Sequence, residues 1–249
     1  MWVAFFMDGK FSYFYPSGTG NVNLTRMTVK FAYLSVSKYL CRDLSETREH
    51  IIRLADSLIR QRGFNAFSYS DIASVLELRN AAIHYHFPTK SLLGQAVVGE
   101  EINRLNAYRK AHPTLPGELQ FRRLVSIFYQ NSKRGAVCLM GALTPEFATF
   151  DFEMQGMVQR LCLDIRKWLI DCLAEARTSG RLSFAGTPND RAAIVISTLL
   201  SSLLLSRVEG AGLFRQMVDQ LLADLGAEWR TGDLPDPEGS GADGFYSFT

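Results

Sequence analysis

The segment Ser68–Phe87, SYSDIASVLELRNAAIHYHF, followed at once by Pro88, Thr89 and Lys90, restricts the fold more than any other part of the chain. Ser68 with Asp71 three residues on has capping-box spacing, which satisfies free backbone N–H groups at a helix start. Ile72, Ala73, Val75 and Leu76 supply that helix with an apolar side. A turn at Glu77 and Leu78 leads into a second short helix, over Asn80–Phe87, with Leu78, Ile83 and Phe87 facing inward. Arg79, Asn80, Ala82, His84, Tyr85 and His86 are left outside. A solvated helix face ordinarily carries Glu/Lys pairs, and this one carries none.

Those outward residues have the chemistry of a DNA groove. Arg79 and Asn80 match the donor and acceptor patterns of guanine and adenine edges. The small Ala81 and Ala82 let the backbone come close to a surface, while His84, Tyr85, His86 and Lys90 suit phosphate oxygens, which position rather than specify. Thr89 is placed to cap the next helix, whose first amides favour an anion. The same spacing also fits a plain helical hairpin in which Tyr85 and His86 only pack.

The run IHYHFPTKSLL, preceded by DIA and by a first helix that ends at a glycine, resembles the DNA-binding domain of the TetR/AcrR family of bacterial transcriptional regulators, over roughly Thr47–Val97. Two residues depart from the family pattern: Glu77 stands where a turn glycine is usual, and His84 where tyrosine is frequent. The resemblance implies an all-α chain, with an N-terminal three-helix helix-turn-helix DNA-binding domain and a C-terminal helical ligand-binding and dimerisation domain. It also implies that Thr47, Arg48, Ser68 and Tyr69 join the DNA-contacting set. The implied partners are a double-stranded operator, a second copy of the chain and a small-molecule effector.

The expected domains are an N-terminal extension over 1–44, a DNA-binding domain over 45–106 with its motif at 68–87, an effector and dimerisation domain over 107–230, and a disordered tail over 231–249. In the extension, Met27 is an alternative start, or else Arg26, Lys30, Lys38 and Arg42 form a DNA-touching arm. Helical periodicity and breakers predict helices over 45–62, from Thr89 to about Lys110, and over 117–132, 138–149, 152–178, 189–208 and 210–228. Ala192–Val208 is apolar nearly all round but short and serine-rich for a membrane span, so a helix buried on all sides is expected and no membrane partner. By resemblance, 189–208 and 210–228 form the dimer interface.

Composition narrows the function. A net charge of +2 over 249 residues excludes a charge-driven, non-specific nucleic-acid binder and leaves room for a specific one. Cys41, Cys138, Cys162 and Cys172 show no C-x-x-C spacing and the histidines no ligand pattern, so no metal or cofactor is expected. Cys162 and Cys172 on one helix lie about 15 Å apart, too far to bridge. A reduced, cytoplasmic setting follows. Paired carboxylates, a nucleophile elbow and a phosphate-cradling loop are all missing, so catalysis is not expected. The rival to a DNA-binding regulator is a helical interaction module that makes no sequence-specific DNA contact.

Phe128, Met140, Phe147, Met157 and Trp168 fall in the stretch where the family holds its effector, although such residues also serve as ordinary core. Cys138, in RGAVCLMGAL, opens two readings. Resemblance to the subset of the family with a Gly-Cys-Leu-like element at this place implies a sensor of oxidants or electrophiles, with nearby Lys133 and Arg134 and a helix start lowering its pKa; burial would make it inert.

Overall fold

The computed structural model describes residues 3–7, 10–14, 45–210 and 212–234, and the chain divides into two units, Met1–Glu46 and Thr47–Thr249. In the first unit Val3–Met7 (β1) pairs antiparallel with Lys10–Phe14 (β2), Val3 opposite Phe14 and Met7 opposite Lys10. A strand pair thus lies within the stretch expected as the N-terminal extension, where the sequence reading placed no strand. The Asp8-Gly9 dipeptide between two aromatic runs is itself a hairpin signal. Arg26, Lys30, Lys38 and Arg42, the candidate arm, lie outside the described residues.

The second unit is helical. The first helix, α1 (45–62), buries Ile51, Ala55 and Ile59 at helical spacing and stops at Gly63, whose φ of 99° few other residues tolerate. After it come α2 (Tyr69–Leu76), α3 (Asn80–His86) and α4 (Lys90–Ala111). Phe64, Phe67, Ile72, Ile83, Phe87 and Leu93 close one core beneath these helices. Val75, expected on the apolar side of α2, is 63% exposed, because the eight-residue helix has room for only one buried stripe.

Beyond α4 the chain forms α5 (Gly117–Lys133), α6 (Leu139–Leu143), a 3-10 turn (Thr144–Thr149), α7 (Phe152–Thr178), α8 (Pro188–Glu209) and α9 (Gly212–Asp224). The helix expected over 138–149 is thus two pieces. Pro145 has no N–H to donate to a continuing α-helix, and the chain tightens at that point. Helix α7 is the spine: α4, α5 and α8 all pack against it.

Two further expectations change. Helix α8, the described helix long and apolar enough to cross a membrane, is not buried on all sides. Ala192, Val195, Leu199 and Leu203 face the core, while Ile194, Leu204, Leu205 and Val208 face outward. The tail expected to be disordered from Thr231 remains packed to Leu234. Thr231 donates its N–H to Asp219 Oδ1 at 2.7 Å, and Arg122 donates to the Asp233 carbonyl at 2.7 Å. Trp229, Thr231 and Leu234 are all buried, so apolar contact outweighs the Gly/Pro/Asp composition of this stretch.

Candidate nucleic-acid interface

At the start of α2 the Asp71 carboxylate accepts from both the Ser68 backbone N–H and the Ser68 hydroxyl, each at 2.7 Å. These bonds hold the Asp71 carboxyl below its ordinary pKa, with Arg62 adding a smaller attraction. At the other end Glu77 adopts φ 54°, ψ 35°, and its N–H bonds the Ala73 carbonyl. A left-handed turn of this kind suits glycine, and here a side chain occupies it at a cost of about 1–2 kcal/mol. The turn geometry survives the substitution of the usual glycine.

Helix α3 is anchored from below and open above. Ile83 and Phe87 are buried, and the Phe87 carbonyl accepts the Tyr69 hydroxyl at 2.8 Å. Arg79, Asn80, Ala81, His84 and Tyr85 are exposed, Tyr85 by 71%, and Ala82 and His86 are half-buried. Asn80 Nδ2 lies 3.2 Å from Ser70 Oγ, which ties the start of α3 to α2. The His84 ring meets Tyr69 edge-on at 4.7 Å, and Tyr85 meets His86 at 5.2 Å. Burial, and then the nearby Arg48, lower the His86 pKa, so at neutral pH it offers a neutral ring and not a cation. Arg48 is exposed and its guanidinium lies 5.1 Å from the Phe87 ring centre, while Thr47 is half-buried beside it.

Two of the residues expected at DNA are turned inward. Tyr69 is buried with its hydroxyl bonded to Phe87, and burial pushes its pKa up to about 12, so it positions α3 from below. Lys90 donates to the Phe67 carbonyl and lies over the Phe64 and Phe67 rings, 4.8 and 4.2 Å from their centres. Partial burial lowers its pKa. Its ammonium is better solvated by that carbonyl and the two ring faces than by a phosphate it would have to reach. Thr89 caps α4 as expected, accepting from Leu92 N–H at 3.2 Å.

Helix α1 and the loop after it are fastened to the rest of the chain at two places. Buried Arg60 on α1 bonds Asp56 at 2.9 Å and reaches Glu101 on α4 at 3.1 Å, where Arg104 also binds. The Arg60 carbonyl in turn accepts from Val137 N–H and from Arg207 of α8 at 3.2 and 2.7 Å. The second fastening is a clasp. Glu146 accepts from Asn65 N–H at 3.0 Å, Thr149 Oγ1 accepts from Asn65 Nδ2 at 3.0 Å, and Phe150 meets Phe64 edge-on at 5.3 Å. Neither fastening was anticipated. Glu101 was nevertheless legible, because it falls midway between Val97 and Leu105 on the buried stripe of α4.

Glu101 also lines a small inner chamber of about 30 Å³, together with Leu105, Phe128, Cys138, Met140 and Trp168. Three of the five candidate pocket residues, Phe128, Met140 and Trp168, therefore meet around one space. Phe147 and Met157 do not: Phe147 lies in the 3-10 turn after Pro145, and Met157 packs near Gly99. Cys138 caps α6, its Sγ accepting from Gly141 N–H at 3.3 Å. Complete burial pushes its thiol up to about 11, which reverses the expected lowering by Lys133 and Arg134. Apart from Glu101 the chamber lining is apolar, and desolvation outweighs the helix start.

With the geometry in place, the likenesses to known proteins are consistent with it. The family model for bacterial regulatory proteins of the tetR family matches residues 51–97, which run from α1 into α4. A solved TetR-family transcriptional regulator from Agrobacterium tumefaciens superposes with a TM-score of 0.67 at 26% identity, covering 73% of this chain and 98% of that one. A TetR transcriptional regulator from Legionella pneumophila does so with 0.63 at 25%, covering 72% and 97%. The HTH-type transcriptional repressor NemR of Escherichia coli K12 is 22% identical over 175 residues, which is 66% of this chain and 85% of that protein.

Proposed function

We propose that this chain is a TetR-type transcriptional repressor that grips its operator through the outer face of α3 and lets go when a small molecule enters the C-terminal half. The carrying observation is the exposed set Arg79, Asn80, Ala81, His84 and Tyr85 on a helix without a single carboxylate, braced from below by Ile83, Phe87 and Tyr69. Arg79 and Asn80 read base edges, while Tyr85, His84 and Arg48 hold the backbone. Repression is also the activity for which the E. coli relative is named.

One such helix reads few base pairs, so the working unit is a dimer. The outward apolar face of α8, with Ile194, Leu204, Leu205 and Val208, is the surface that a second copy would cover. Two recognition helices then meet half-sites about 34 Å apart, one turn of DNA. An effector seated against Glu101 and Met140 acts on α4, which carries the Glu101 fastening to α1, and on α6, which leads directly into the 3-10 turn whose Glu146 holds Asn65. It need favour the released form by only a few kcal/mol.

The test is a gel shift, at one stated salt concentration, on DNA flanking the protein's own gene. Arg79→Ala weakens specific binding by about 1–3 kcal/mol and relaxes the preference at one position, while Tyr85→Ala weakens all sites alike. If both variants bind as tightly as the parent, α3 does not face DNA; if the parent itself shifts no specific DNA, the interaction-module reading replaces this one.

A further inference from the structure

The inner chamber is too small for an effector. About 30 Å³ holds little more than one water molecule, whereas ligand sites run to some hundreds of Å³. A second space, an open cleft of about 650 Å³, lies at the α4–α5 corner and is lined by polar groups such as Arg109, His112, Asp171 and Glu175. Among the described residues, Trp168 is the one that lines both. It is 3% exposed, and its indole is the wall between the two spaces.

That wall is held by contacts on the cleft side. Trp168 Nε1–H donates to Gln120 Oε1 at 2.7 Å, and the Cys172 thiol shares the same oxygen at 3.8 Å. The Trp168 ring also meets Tyr108 edge-on at 5.8 Å, and Tyr108 in turn stacks on His112 at 4.6 Å. Gln120 itself lines the cleft, so a molecule arriving there meets the acceptor that keeps the indole shut.

We propose that Trp168 is the gate of the effector site, and that the site takes a flat aromatic molecule bearing a hydroxyl or amine donor. The donor replaces the indole N–H on Gln120 Oε1. The freed Trp168 swings towards the cleft, and the aromatic body of the ligand settles against Phe128, Met140 and Leu161. Chamber and cleft become one space of ordinary ligand size, polar at the mouth and apolar at the back. This rests on the reading that the C-terminal half holds an effector, but not on which helix meets DNA.

The experiment compares 2-naphthol with 2-methoxynaphthalene, which has the same ring system and no donor. It uses the full chain with Trp2 and Trp229 replaced by Phe and with fluorotryptophan at Trp168, so that one fluorine NMR resonance reports that ring, free of interference from the probes. We expect 2-naphthol to bind roughly tenfold more tightly than the ether, the worth of one hydrogen bond, and to shift the Trp168 fluorine resonance as the indole meets water. In Gln120→Leu that preference disappears and both probes enter faster. Trp168→Phe, read through naphthol fluorescence, gives the same acceleration by removing the N–H while keeping an aromatic ring. Equal affinity of the two probes for the parent chain, or binding that leaves the Trp168 fluorine resonance unchanged, overturns the gate. If 2-naphthol binds neither the parent nor Trp168→Ala, the chamber is no ligand site at all and the effector reading falls with the gate, while the gel shifts on Arg79 and Tyr85 stand apart from it.

Discussion

Arg60→Met tests what fastens α1 to α4. Arg60 is 5% exposed and its two carboxylate partners, Asp56 and Glu101, are 3% and 7% exposed, at 2.9 and 3.1 Å. Methionine fills similar space, so the change removes the charge and little volume. Two carboxylates then lose the cation they share in a poorly solvated place, which costs about 3–5 kcal/mol when a buried pair is broken. Against a total stability of about 5–15 kcal/mol this is a large fraction. With a urea m-value of about 2 kcal/mol per molar, the midpoint falls by about 1.5–2.5 M at unchanged m. The triple change Arg60→Met, Asp56→Leu, Glu101→Met recovers most of the loss, because no charge is left stranded. Arg104, the other partner of Glu101, has a side chain 21% exposed and can return to water. A midpoint shift under about 0.3 M for the single variant, or a triple variant no better than the single, refutes the reasoning and makes the fastening one of shape rather than charge.

Three further outcomes follow from the same structure. Glu77→Gly relieves a left-handed backbone worth about 1–2 kcal/mol and adds about 0.5–1 kcal/mol of freedom to the unfolded chain, so Tm rises slightly; a fall in Tm would show that the Glu77 side chain makes a stabilising contact. Tyr69→Phe removes the hydroxyl bond to the Phe87 carbonyl, lowering stability by about 1–2 kcal/mol and weakening operator binding through a loosened α3, measured by denaturation and gel shift; full operator affinity would show that α3 holds its place without this bond. The Cys138 thiol, pushed up to about 11 by burial, keeps its proton where the unfolded chain loses its own near 8.5. Its contribution to stability is therefore whole below about pH 8.5 and is lost as pH rises towards 11. Parent and Cys138→Ala should converge in Tm over that window, and iodoacetamide at pH 7.5 should label Cys138 far more slowly in the folded than in the unfolded chain. Rapid labelling of the folded protein would restore the sensor reading.

The Ser68–Phe87 helix pair was legible from residue order because its determinants are local. The Ser68–Asp71 cap, the apolar spacing of Ile72, Ile83 and Phe87, and the acid-free outer face of α3 all act within a few residues of one another. Helix spans along α4, α5, α7 and α8 were legible for the same reason, since a 3.6-residue repeat needs no distant partner. Other features depend on which groups approach from elsewhere in the chain. Tyr69 and Lys90 look like surface donors in isolation, yet each is drawn inward, by Phe87 and Phe67. Cys138 has cations two turns or less away in sequence, but the apolar chamber around it sets its proton affinity. Glu101 can be placed on the inner stripe by counting, whereas its partnership with an arginine 41 residues earlier is a matter of packing. Local hydrogen bonding and periodicity are written into neighbouring residues; burial, ion pairing and the gate at Trp168 arise when distant helices exclude water together.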